Sequence, residues 1–289
     1  MLERMARPLR GLSNGIASAT DAVYRVLGSP GKLLQDLLNG SWLGHSLHAV
    51  LVDVVIGAAT AALLLDVLRV FFGVAGLESA TTWVLGLALL SALGAILSGL
   101  TDYKDTAPDS AERDVAGIHG LINIVATIAF AISLTQRLGG AHDGAFWVLL
   151  IGYLVVSVGG FIGGHVVFKY GYMVNHNAFS RGKRAKEFTP VVAAAQVPEG
   201  TPTKVMFGST AVMLVRRGDV VHALKETCSH AGGPLSEGAL KGDTITCPWH
   251  FSTFRLADGS VVHGPAGSRQ VSYRARISGD QVELQGPHD

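Results

Sequence analysis

Thr227-Cys228-Ser229-His230-Ala231-Gly232-Gly233-Pro234-Leu235 and Thr246-Cys247-Pro248-Trp249-His250-Phe251-Ser252 are the two stretches on which the reading of this chain turns. Each sets one thiol and one imidazole close together, and 16 residues separate His230 from Cys247. The chain has two cysteines and both fall here, so none is left for a disulfide. Such usage suits a reducing compartment. Two thiolates with two imidazoles are a metal donor set. Zinc takes Cys₂His₂, and so does a [2Fe–2S] pair in which the cysteines hold one iron and the histidines the other. Cys-x-His spacing is unusual for a zinc finger, and Gly232-Gly233-Pro234 and Phe251-Ser252 suit loops around a larger cluster.

The surroundings read as β-structure. Val212-Met213-Leu214-Val215 is followed by Arg217-Gly218-Asp219 and then Val220-Val221-His222-Ala223-Leu224. Val271, Tyr273, Ala275 and Ile277 alternate with polar residues before Gly279-Asp280, and Val282 and Leu284 follow. Short alternating runs with Gly-Asp turns predict an antiparallel all-β domain over 188–289, with the Cys/His pairs on two of its loops.

With Gly238-Ala239-Leu240 after the first pair and Thr253-Phe254 after the second, the stretch resembles the Rieske-type ferredoxin family over about residues 188 to 285. The resemblance implies Cys228 and Cys247 on one iron of a [2Fe–2S] cluster, and His230 and His250 on the other. Neutral imidazoles raise the potential above that of an all-cysteine cluster, and the reducing electron is expected on the histidine-bound iron. His222, His263 and His288 match no ligand position. Ser252, Trp249 and Pro265 are expected around the cluster. Quinol-oxidising relatives carry two further cysteines that bridge the loops; Gly233 and Trp249 stand there instead. Ser252 matches a serine that donates to the cluster in high-potential relatives, whereas Phe254 replaces their tyrosine and cannot donate. Phe251 stands at a common glycine position. An intermediate or low potential is the expectation.

The rest of the chain differs. Mean hydropathy is +0.36 and only 16% of residues are charged, against about 25% in soluble domains, so part of the chain is expected in lipid. Net charge of +1 gives no reason to expect a nucleic-acid partner. The first 30 residues lack the apolar core of a cleavable signal. Four segments are long and apolar enough to span a bilayer: 47–72, 79–101, 115–136 and 144–168. The first contains Asp53, Asp66 and Arg69. Basic residues fall at the N-terminus, between spans two and three, and after span four, which predicts both termini and the β domain on the cytoplasmic side. Residues 1–44 read as an N-terminal cytoplasmic or interfacial segment. Gly28-Ser29-Pro30-Gly31 breaks it ahead of an amphipathic turn bearing Leu33, Leu34, Leu37 and Leu38. Residues 45–180 are the expected four-helix transmembrane domain, and 181–203 a charged, then Ala/Pro/Gly-rich, linker leading into the soluble domain.

Trp42 to Asp53, Gly99 to Tyr103, Ile118-His119-Gly120 and Gly163 to Gly171 resemble an uncharacterised bacterial four-span membrane domain that also occurs fused to Rieske domains. The resemblance implies a fold but no chemistry. His45, His48, His119, His165, Asp102 and Asp105 are expected at one membrane depth, where ionisable groups are functional candidates. Three readings stand for them. They hold a b-type haem through two histidines, with Gly159, Gly160, Gly163 and Gly164 making room for it. With Asp53 or Asp102, the histidines bind a non-haem metal or a quinone. Or they form a polar layer that fixes helix packing, with Asp53 paired to a histidine or to Asn123. The expected fold is a multi-domain α plus β chain: a transmembrane bundle, then an all-β Rieske domain. The expected function is a membrane-anchored, ferredoxin-like electron carrier, in contact with lipid, between a haem or quinone and a redox protein. A quinone-linked oxidoreductase, an oxygenase-system reductase component and a redox-sensing subunit are the alternatives. Among these, an electron-transfer protein or an oxidoreductase subunit is preferred to a complete enzyme.

Overall fold

The computed structural model describes residues 2–179 and 185–288. Arg181, Lys183 and Arg184 of the expected linker lie outside the described residues. The chain divides into two units: residues 1–31 with 46–172, and residues 32–45 with 173–289.

The first unit is helical. A short helix α1 (Leu2–Ala6) precedes α2 (Arg10–Asn39), and four helices follow: α3 (Leu47–Phe72), α4 (Glu78–Tyr103), α5 (Ala111–Leu138) and α6 (His142–Phe168). These last four are long and apolar enough to cross a membrane. Local sequence sets their ends. Ser110 caps α5 by accepting from the Arg113 N–H at 3.0 Å, with Glu112 and Asp114 in the first turn. Gly73, at φ 66°, closes α3 in the left-handed region that favours glycine. The predicted break in α2 is real: Gly28 leaves the helix at φ 60°, ψ −129°. Before the break, Arg10 bonds Asp114 and the Tyr24 hydroxyl lies 2.6 Å from Thr101 Oγ1, which fastens α2 to the bundle.

The bundle is built from one hairpin pattern used twice. α3 packs most heavily on α4, and α5 on α6. The buried positions of α3 are Val55, Ala59, Ala62 and Asp66; those of α5 include Ala126, Phe130, Ser133 and Arg137, at identical spacing. Leu85, Ala88, Ala92 and Ala95 of α4 recur as Leu149, Gly152, Val156 and Gly159 of α6, following Trp83-Val84 and Trp147-Val148. Equivalent residues therefore face one another across a pseudo-two-fold axis. At one end the facing pair is Asp66 and Arg137, both 0% exposed and joined in a bidentate ion pair. A buried charge is tolerable only when paired. The axis therefore requires opposite charges in its two halves.

The second unit is antiparallel β. Among the described residues, ten strands form two sheets. The larger holds β1 (Ala185–Ala193), β2 (Thr203–Phe207), β3 (Thr210–Arg217), β4 (Val220–Lys225), β9 (Ser272–Ser278) and β10 (Gln281–His288), in the order β1-β10-β9-β4-β3-β2. The smaller runs β5-β6-β7-β8, with β5 at Ala239–Lys241, β6 at Thr244–Thr246, β7 at Thr253–Arg255 and β8 at Val261–His263. Alternation puts Val212, Leu214, Val282 and Leu284 in one core, and Met213, Leu224, Ile245, Phe254 and both cysteines in the other. Four apolar helices followed by an all-β domain is the fold class expected. Residues 32–45 group with this unit: Asp36 accepts from the Gly264 N–H at 2.7 Å and its other oxygen lies 2.9 Å from His263 Nδ1.

Candidate metal centre

Both Cys/His pairs sit in loops of the same construction. The first follows β4 and the second joins β6 to β7. In the first, the Cys228 N–H bonds Gly233 O at 2.9 Å and the Gly232 N–H bonds Cys228 O at 3.0 Å. In the second, the Cys247 N–H bonds Ser252 O at 2.8 Å and the Phe251 N–H bonds Cys247 O at 3.1 Å. Each loop needs one residue with positive φ: Gly232 at 81° in the first and Phe251 at 64° in the second. The second value explains why glycine is common at that position and why Phe251 carries a backbone cost there.

The loops converge. Cys228 and Cys247 are buried, 1% exposed each, and both are free thiols. Contact with Cys247, reinforced by burial, pushes the Cys228 thiol up, whereas the bond from Cys228 draws Cys247 down to about 7. His230 is buried and His250 half-buried, with ring centroids 5.0 Å apart at 84°. Two thiols and two imidazoles at one place are the donor set of a mixed-ligand [2Fe–2S] centre. Glycine at 233 is a condition of the fit: a Cβ there would stand 2.7 Å from Cys247 Sγ and 3.0 Å from the Trp249 ring. Gly233 and Trp249, where bridged relatives carry cysteines, are thus neighbours, and the space of a bridge is filled by indole.

A third loop braces the first two. The Ala266 N–H donates to Ser252 Oγ at 3.0 Å, so the buried Ser252 hydroxyl keeps its own proton for another acceptor. Gln270, fully buried, donates to Lys225 O at 2.5 Å and Thr227 O at 2.6 Å, and accepts from the Ser229 N–H at 2.9 Å. Asn177 adds bonds to Thr227 O at 3.0 Å and to Gln270 Oε1 at 3.1 Å. Neither Gln270 nor Asn177 is marked by the motifs; a buried glutamine is visible only once the loop it ties is folded. Pro265 is buried, and Phe254 packs in the core with no donor to offer. Trp249 and Phe251 are exposed beside His250.

The bundle residues separate. His48 and His119 come together, with ring centroids 6.1 Å apart. His165 packs on Phe161 instead, and His45 groups with the second unit. Asp102 accepts from the Ser46 hydroxyl at 2.7 Å. Asp53, expected to pair with a histidine or with Asn123, lies exposed on α3, and Asn123 bonds His119 O at 2.7 Å. Of the four α6 glycines expected to make room for a haem, Gly159 has Asn123 beside it and Gly163 has His119, whereas Gly160 and Gly164 have no close neighbour.

A family model of the Rieske [2Fe-2S] domain matches residues 187–274, and one of DUF2231, a predicted membrane protein, matches residues 44–176. Ferredoxin CarAc of Metapseudomonas resinovorans is 37% identical over 97 residues, covering 33% of this chain and 91% of that ferredoxin. The 3-phenylpropionate/cinnamic acid dioxygenase ferredoxin subunit of Escherichia coli (strain K12) is 31% identical over 94 residues, 32% of this chain and 88% of the subunit. Among solved structures, the ferredoxin of carbazole 1,9a-dioxygenase from Nocardioides aromaticivorans IC177 is 27% identical, with a TM-score of 0.33 and coverage of 35% of this chain and 99% of that one. A Rieske domain implies a [2Fe–2S] cluster. The chain belongs to the Rieske [2Fe-2S] family, with its Rieske domain placed behind a DUF2231 membrane domain.

Proposed function

We propose that this protein is a membrane-anchored, one-electron carrier, with Cys228 and Cys247 on one iron of its cluster and His230 and His250 on the other. The observation that carries the reading is the meeting of two thiols and two imidazoles from two loops of matching construction. When bound, the cluster supplies a one-electron couple. The protein's own residues set the conditions. The cysteines bring negative charge to one side, and the imidazoles donate without adding any. The Ser252 hydroxyl, held by Ala266, donates toward sulfur and stabilises the more negative reduced state. Gly233 and the Trp249 ring exclude water from the cysteine side. His250, half-buried between exposed Trp249 and Phe251, is the contact point for a redox protein partner. Likeness to ferredoxins of dioxygenase systems supports such a partner. The basic residues flanking the spans support a cytoplasmic Rieske domain, with a haem or quinone in the membrane as the other redox centre.

The test is EPR of whole protein purified from membranes, before and after reduction. A reduced [2Fe–2S] signal lost in Cys228→Ser and in His250→Ala is expected. Zinc in place of iron would overturn the reading. For orientation, a reporter fused after residue 289 should be active in the cytoplasm only.

A further inference from the structure

His48 of α3 and His119 of α5 occupy equivalent positions of the repeated hairpin, ahead of the matching runs Val55–Asp66 and Ala126–Arg137. α3 and α5 are the diagonal pair of the bundle and scarcely touch, so these rings meet across its interior, 6.1 Å between centroids and 83° between planes. Each Nδ1 lies 2.8 Å from a main-chain carbonyl of the following helix, Ala95 O for His48 and Gly159 O for His119. A carbonyl only accepts, so both Nδ1 atoms carry the proton and both Nε2 atoms keep a lone pair. Asn123 Nδ2 donates to His119 O at 2.7 Å and lies 3.2 Å from His119 Nδ1; the nearer contact of that nitrogen is the Gly159 carbonyl, which keeps the proton on Nδ1. The rings are seated on helix backbone: a Cβ at Gly99 would stand 2.9 Å from the His48 ring, and one at Gly163 2.8 Å from His119. A fixed tautomer, an oriented ring and a second nitrogen held by a carbonyl are how ligating histidines are prepared.

The other end of the axis shows what a purely structural pair becomes. There the equivalent positions hold Asp66 and Arg137, joined by two hydrogen bonds, with Arg69 also 3.5 Å from Asp66. At this end the pair is identical, and with both protons on Nδ1 neither Nε2 has a proton to give the other. Among the described residues no group of three or more His, Cys, Asp or Glu that could hold a metal ion forms around His48 and His119. Two imidazoles complete a centre only where the other donors come with the ligand, as in an iron porphyrin, which supplies four nitrogens and leaves two axial positions. Two imidazoles bound at about 2.0–2.1 Å on opposite sides of one metal put their ring centres roughly 6–6.5 Å apart.

We propose that the bundle binds one b-type haem, with His48 and His119 as its two axial ligands. The site deepens the electron-carrier reading, since it names the membrane redox centre, but its test reads a different signal. Whole protein is purified in detergent from cells supplied with δ-aminolevulinate, and haem is measured by pyridine haemochrome and by optical and EPR spectra. One low-spin, six-coordinate haem per chain is expected. His48→Ala and His119→Ala should each lower bound low-spin haem by at least about tenfold, while His45→Ala and His165→Ala retain it. His119→Met, which keeps a ligand of another chemistry, should shift the spectrum rather than remove it. The cluster EPR signal, read in the same samples, reports folding and the carrier reading separately. An intact cluster signal with no haem, or a low-spin spectrum unchanged in the His48→Ala/His119→Ala double variant, would overturn the proposal.

Discussion

The bundle and the β domain each bring a pair of imidazoles together, by opposite means. In the β domain His230 and His250 come from two loops that repeat one hydrogen-bond scheme, tied by a third loop through Ser252 and Gln270. In the bundle His48 and His119 come from two copies of one hairpin and are seated on helix carbonyls and the glycines beneath them, with Asn123 beside His119. The first site is held by a dense polar network and gives each side chain a distinct task. The second is held by symmetry and gives its two side chains the same task. What separates the designs is where the backbone groups find partners. A loop network satisfies them with side chains and water, whereas a helix satisfies its own along its length.

This contrast can be broken at either site. The largest effect is expected at the cluster loops, where Cys247→Ser should abolish the [2Fe–2S] absorbance and EPR signal while leaving the helical far-UV spectrum of the bundle intact. Next comes the charged end of the pseudo-symmetry axis. Arg137→Met leaves the buried Asp66 with Arg69 at 3.5 Å in place of its bidentate partner; loss of one member of a buried pair costs up to about 3–5 kcal/mol, and Arg69 offsets part of that; thermal unfolding in detergent should show the drop, and Asp66→Leu combined with Arg137→Met should recover part of it. Gln270→Ala removes bonds to Lys225, Thr227 and Ser229 and leaves their backbone groups buried, an effect of roughly 1–3 kcal/mol. Denaturant unfolding followed through the cluster absorbance should register it in the β domain alone. The smallest effect is expected from Ser252→Ala. Loss of one donor to sulfur should lower the cluster potential by roughly 60 mV, about 1.4 kcal/mol for one electron, in protein-film voltammetry. A Gln270→Ala loss shared by the bundle, or a Ser252→Ala potential that rises, would blur the contrast.

The two regions also differ in how far they are legible in sequence. Cys228-Ser229-His230 and Cys247-Pro248-Trp249-His250 carry their donors at fixed spacing, so the site can be read before the fold is known. The four spans are legible too, because length and apolarity alone decide them. Two kinds of fact are not. Gln270 and Asn177 act on backbone atoms far along the chain, and no local pattern announces that. The pairing of His48 with His119, to the exclusion of His45 and His165, depends on which helices stand on the diagonal. A signal for it exists in the chain: Trp83-Val84-Leu85 returns as Trp147-Val148-Leu149, and Leu47-His48-Ala49 as Ile118-His119-Gly120. Read as a duplication, these place the two histidines at equivalent positions. The glycines of α6 are ambiguous for the same reason, since Gly159 and Gly163 make room for the Asn123 and His119 side chains.

The most direct test of the account is pulsed EPR of the reduced whole protein, which counts the nitrogens coupled to the cluster. Two imidazole nitrogens are predicted, one lost in His230→Ala and one in His250→Ala where a cluster still assembles. A spectrum without nitrogen coupling would contradict the account.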